Sequence, residues 1–312
     1  MERILSEEFE NDLLSGKLAA LLARVKNDNT LMLAIRKKYI NIYYRGGSLL
    51  NLSEKSEHKY EASFDAKYAK GSIFNVPDSP KPILTQDDIQ KWIDSFPIRK
   101  QIMDCWFTEN PKMEREFQQL VVRENNYSSI SNETEYFIWD IEFAEPELGA
   151  RFDLLAFDWP ASNRKSGDVR LALIEMKYGD KALKGDAGIV EHLEQFRQLL
   201  SDSDKWKKLC DMAEGQINQL NRLGLLRHTK GDERNFTVNK EKPQVIFLFA
   251  NHNPRSEALR NELKSLEASD SFSTLRSLCD IRFFIASSAG YAMHSDCMAD
   301  LDKYKEFMKA LI

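Results

Sequence analysis

Leu171-Ala172-Leu173-Ile174-Glu175-Met176-Lys177 is an apolar run that ends in two charges. Side chains alternate along a strand, so Leu171, Leu173, Glu175 and Lys177 share one face, and a carboxylate and an ammonium close a row that begins as core. Burying either charge alone is costly, but at the mouth of a sheet each can keep the other ionised, or a cation can. Taken alone, Glu-x-Lys is an ordinary structural ion pair. The run before it, Arg151-Phe152-Asp153-Leu154-Leu155-Ala156-Phe157, changes that reading. Asp153 lies inside a second apolar strand, with a turn-rich loop (residues 160–168) between the two. A hairpin of that length brings Asp153 beside Glu175. Two carboxylates forced together repel unless a divalent cation sits between them, and hard oxygen ligands favour Mg²⁺ or Mn²⁺.

Outward from this pair the second half alternates strands and helices. Residues 136–143, 150–157, 169–177, 245–250 and 281–286 are β-rich apolar runs, and helical patterns occupy 188–200 and 205–223. That order implies one mixed sheet covered on both faces. Upstream, residues 5–26 carry a helical stripe of Leu13, Leu14, Leu18, Leu21 and Leu22, read as one helix. From Thr30 the period becomes two through Leu31, Leu33, Ile35, Ile40, Ile42 and Tyr44, with Gly46-Gly47 as a turn, a hairpin or meander. Its Arg36, Lys37, Lys38, Tyr39, Tyr43 and Arg45 read as a solvated strand face, with base stacking plus phosphate contact as the alternative.

Pro77, Pro80 and Pro82 mark a linker. Beyond it Thr85 caps a helix with Ile89, Trp92 and Ile93, and Asn110-Pro111 starts another with Met113, Phe117, Leu120 and Val121 at core spacing. The expected organisation is an N-terminal helix and meander over 1–80 and an α/β domain over 85–312.

Asp153 on one strand and Glu175-Met176-Lys177 at the end of the next resemble the PD-(D/E)XK nuclease superfamily. Phe152 stands where a proline often precedes the first acid. The resemblance covers roughly residues 110–290 and implies a restriction-endonuclease-like, three-layer α/β/α core with a mixed sheet, beside an N-terminal α+β region. It further implies that Asp153, Glu175 and the carbonyl of Met176 hold the metal while Lys177 orients or deprotonates the attacking water. Members often carry a glutamate on an earlier helix. Glu114 is preferred there, with Glu116 and, on the first strand, Glu142 left open. Some subgroups add a polar residue on the following helix, where His192 and Gln195 share one side at i and i+3; they face the scissile phosphate or are simply polar surface. Lys181, Lys184 and Arg197 are candidates to grip the phosphate backbone.

The 312 residues, 42% hydrophobic and 30% charged, exclude global disorder, and no apolar run is long enough to span a membrane. The acidic N-terminus lacks a secretory layout, so a cytoplasmic location is expected. Cys105, Cys210, Cys279 and Cys297 form no Cys-x-x-Cys pair, and His294 with Cys297 lacks further ligands, so neither a disulfide framework nor a zinc site is read. Net charge −5 leaves nucleic-acid binding to local patches. The function expected is a metal-dependent nuclease acting on phosphodiester bonds, in DNA first. The alternative is a non-catalytic nucleic-acid- or protein-binding module on the same fold. Phosphate-cradling glycine loops are absent, which ranks nucleotide enzymes low.

Overall fold

A computed structural model describes residues 3–75, 78–128, 134–185, 188–227, 234–253, 256–286 and 290–310. Pro77 of the expected linker and the first two residues fall outside them. The chain forms two compact units, one of Met1–Gln119 with Gly215–Glu233, the other of Leu120–Glu214 with Arg234–Ile312. Each is mixed α and β and has its own five-stranded sheet. Among the described residues no helix is long and apolar enough to cross a membrane.

In the first unit the single helix expected over 5–26 is two, α1 (Glu7–Leu14) and α2 (Ala19–Lys26). Ser15-Gly16 breaks it: the Gly16 amide turns back onto the Asn11 carbonyl, and a Cβ at Gly16 would lie 2.2 Å from the Asp12 carboxylate. Leu14, counted in the apolar stripe, is therefore exposed. The meander is present as β1 (Leu31–Arg36), β2 (Tyr39–Tyr44) and β3 (Gly47–Ser56), all antiparallel, and continues into β4 (Lys59–Ser63) and β5 (Lys81–Ile83). Pro82 thus lies within a strand rather than a linker. It can do so because β5 is at the sheet edge, where a missing N–H is tolerated.

Helix α3 (Ala66–Ala69) precedes β5; α4 (Gln86–Asp94) and α5 (Phe96–Glu109) follow it. They bury Ile89, Trp92, Phe96, Ile102, Met103 and Phe107 in this same unit. The division expected near 80–85 falls at Gln119 instead, because prolines interrupt regular backbone without interrupting packing. Helix α6 (Met113–Asn126) begins after Pro111, and Met113, placed in the core by spacing, is exposed.

The second unit carries β6 (Tyr136–Glu145), β7 (Ala150–Asp158), β8 (Asp168–Tyr178), β9 (Thr237–Ala250) and β10 (Asp280–Ile285) in the spatial order β10-β9-β8-β7-β6. The pairs β6/β7 and β7/β8 are antiparallel, whereas β8/β9 and β9/β10 are parallel. Between β8 and β9 run α7 (Ile189–Ser201) and α8 (Ser203–Arg222). After β9 come α9 (Ala258–Glu267) and α10 (Asp270–Leu278), and after β10 comes α11 (Leu301–Ala310). Phe196 of α7 stacks on Phe152, and Tyr304 of α11 on Phe249 and Phe283, so aromatic rings lock these helices onto the sheet.

Candidate active site

The site arises where two neighbouring strands part. Pairing of β7 with β8 runs from Asp158↔Arg170 to Leu154↔Ile174 and stops, while β8 stays paired to β9 as far as Tyr178↔Ala250. One step past the last pair stand Asp153 and Glu175. Beyond the ladder a backbone amide needs another acceptor, and the Met176 N–H donates to Asp153 Oδ2 at 2.9 Å. On β6, Glu142 lies between Ile141, paired to Leu154, and Phe143, paired to Phe152, which sets it alongside Asp153. Its φ of 50° is the left-handed region, uncommon for a glutamate.

Glu175 is 1% exposed and Lys177 4% exposed, burial that ionisable groups seldom have without partners. Lys177 Nζ donates to Glu175 Oε1 at 2.6 Å, and His192 Nε2 lies 3.1 Å from the same oxygen. Among the described residues Glu175 Oε2 is buried with no hydrogen-bond partner. Burial, then the charge of Asp153, pushes the Glu175 carboxyl well above the usual range, against the opposing pull of Lys177. Burial also raises Asp153, while the Met176 amide and Lys177 act to lower it. Burial, followed by the charges of Lys177 and Arg151, lowers His192 to about 4, which leaves its ring neutral. The result is two acids held together at energetic cost, a buried ammonium beside them, and a carboxyl oxygen that meets no donor among the described residues. Among the described residues no three His, Cys, Asp or Glu side chains converge as a metal-holding group. A cation here would therefore take two acids and complete its shell with backbone carbonyl and water oxygens, as Mg²⁺ commonly does.

Asp153, Glu175, Met176, Lys177 and His192 are brought together; other candidates stand differently. His192 contacts Glu175, rather than standing free for a phosphate. Gln195, one turn on along α7, is half-buried, and its side chain makes no hydrogen bond among the described residues. Lys181 is exposed in the turn Asp180–Leu183 that follows β8. Lys184 leans on Glu262 at 3.5 Å. Arg197 is held by Glu194 of its own helix, with contacts of 2.7 and 2.5 Å. Glu114 belongs to the first unit, on the opening turn of α6, and its neighbour Glu116 is taken by Arg45 through contacts of 2.9 Å.

The basic strand face expected in the meander is not one. Arg36 and Tyr43 are buried against each other, and Arg45 is bound by Asp104 and Glu116. All four cysteines are free thiols.

Arg151 is a residue that sequence reasoning passed over. It is the second residue of β7, two positions before Asp153, and its charge acts on His192. A single arginine at the start of an apolar strand reads as an ordinary end marker, so only its neighbours give it meaning. Comparisons with protein-family models, with curated proteins and with solved structures found no match for this chain.

Proposed function

We propose that this chain is a metal-dependent nuclease that hydrolyses phosphodiester bonds, in DNA before RNA, on a restriction-endonuclease-like α/β/α core. The observation that carries the reading is the buried Asp153–Glu175 pair, with a Glu175 oxygen lacking a donor among the described residues and the Lys177 ammonium at 2.6 Å from the other oxygen. Asp153 and Glu175, with the Met176 carbonyl, are the groups that would hold Mg²⁺ or Mn²⁺; two carboxyls crowded together against burial suit a divalent cation better than they suit each other. When bound, such a cation supplies charge neutralisation at the phosphoryl group and makes water a stronger acid.

The protein's own groups do the rest. Lys177 donates to Glu175 Oε1 at 2.6 Å, which fixes its ammonium beside the acid pair, where the phosphoryl group and the attacking water would sit. In a site with little water that fixed charge stabilises developing negative charge more than it would in solution. His192 holds Glu175 Oε1 from a second direction, and the Gln195 amide, one helical turn away, is available to orient the scissile phosphate. Lys181, exposed after β8, suits backbone contact.

The test is incubation of the purified chain with Mg²⁺ or Mn²⁺ and labelled single- and double-stranded DNA and RNA. DNA should be cut, and Lys177→Ala should lower the rate by about a hundredfold or more, the scale of a lost acid–base group. Calorimetry should find a Mn²⁺ site in wild type that Asp153→Asn abolishes. Intact nucleic acid under every condition, or a Lys177→Ala variant as active as wild type, overturns the proposal. Failure of wild type to bind Mn²⁺ would favour the non-catalytic module.

A further inference from the structure

We propose that Arg151 binds the substrate phosphodiester at the mouth of the acid cluster, exchanging its contact with Glu142 for two phosphate oxygens; this rests on the nuclease reading above. An anionic strand that approaches Glu175 must pass three carboxylates, Glu142, Asp153 and Glu175, and needs a cation placed to offset them. Lys177 is buried and hydrogen-bonded to Glu175, so it serves the reacting group rather than the approach. Arg197 is already paired with Glu194 through Nε and Nη2, and Lys184 is drawn towards Glu262.

Arg151 differs from these. Its side chain is 71% exposed, and among the described residues its partner is Glu142 Oε2 at 3.7 Å. That is an ion contact beyond hydrogen-bond length, so Glu142 holds the guanidinium by charge alone and, among the described residues, leaves its fork of donors without a hydrogen bond. The planar fork matches two oxygens of one phosphate, a geometry that a lysine cannot supply. It is also near the chemistry: the sequence sets it two residues before Asp153, and its charge is felt at His192, which itself touches Glu175. Glu142, held alongside Asp153 in a left-handed backbone conformation, keeps Arg151 at this mouth until a phosphate replaces it.

The experiment is fluorescence anisotropy of a short fluorescein-labelled DNA duplex and of its single strand, in EDTA so that nothing is cut, over a salt series. Arg151→Gln should weaken binding several-fold and reduce the slope of log K against log salt by about one, the signature of one lost phosphate contact. Arg151→Lys should recover the slope but only part of the affinity, because charge is kept and the fork is lost. Lys55→Gln, which removes an equal charge from β3 of the other unit, should leave the slope unchanged. Wild-type affinity and slope in Arg151→Gln, or an equal loss in Lys55→Gln, overturns the phosphate contact while the nuclease reading stands. If wild type binds neither DNA form even at low salt, both fall.

Discussion

His192 and Lys177 converge on one oxygen of Glu175, and the pH behaviour of the histidine follows from its place. Its folded-state value of about 4 lies below the ordinary 6.5, so between those limits the unfolded chain binds the extra proton and the folded one does not. The stabilisation is therefore complete above 6.5 and is lost as the pH falls towards 4, by roughly 3 kcal/mol in all. In His192→Gln, whose amide can still donate to Glu175, this part of the acid sensitivity should vanish. Urea unfolding of both proteins at neutral and mildly acid pH would show it, and parallel pH profiles would contradict it. The residue types at this site were readable in the sequence, but their pairings were not. Helical spacing gives His192 a side but not a partner, so the choice between phosphate and surface stays open until its contact with Glu175 is seen. Arg151 was overlooked because one charge at a strand end carries no pattern.

Strands and helices were the most legible elements. Each of the five runs read as strands in the second half is a strand, since β-branched and aromatic residues in short apolar blocks have few other uses. What periodicity could not show is where pairing stops, and the site depends on that: β8 outlasts β7, and Asp153 takes the amide that the ladder leaves unpaired. A similar dependence on close approach governs the β2–β3 turn. Gly46 has φ of +70°, its amide donates to Gln119 Oε1, and a Cβ there would lie 2.3 Å from the Arg115 carbonyl oxygen. Gly71 has φ of +77° but nothing within 4 Å of the same position. Gly46→Ala should therefore destabilise by more than about 2 kcal/mol, combining backbone strain with overpacking, whereas Gly71→Ala should cost about 1 kcal/mol. Equal shifts of the two urea midpoints would show that the contact with α6 does not matter.

The whole chain couples its stability to the acid pair. Burial raises Glu175 above the ordinary carboxyl range, so the folded state holds its proton more tightly than the unfolded chain does. Stability without divalent ions therefore declines as pH rises from the unfolded value through the folded one. A cation that binds the ionised pair reverses this. Mn²⁺ at about a hundred times its dissociation constant should add about 2.7 kcal/mol to unfolding at neutral pH, EDTA should remove it, and the gain should shrink on acidification. In Glu175→Gln the metal-free protein should melt higher than wild type at neutral pH and gain nothing from Mn²⁺; thermal melts with and without the ion decide. At this scale the sequence misjudged the division of the chain, because the prolines between 77 and 82 end local regularity, whereas unit membership follows from which apolar faces meet. Helices α4 and α5 bury theirs in the first unit, and residues 215–233 join that unit from far along the chain.

Sequence alone determined that this is a mixed α/β chain and that two acids and a lysine end adjacent strands, because alternation and apolar blocks are properties of neighbouring residues. Only the tertiary structure decided which charges are buried, which oxygen is left without a donor among the described residues and which arginine stays exposed beside Glu142. Those depend on where ladders end and which helix covers them, and such long-range meetings leave no periodic trace in the chain.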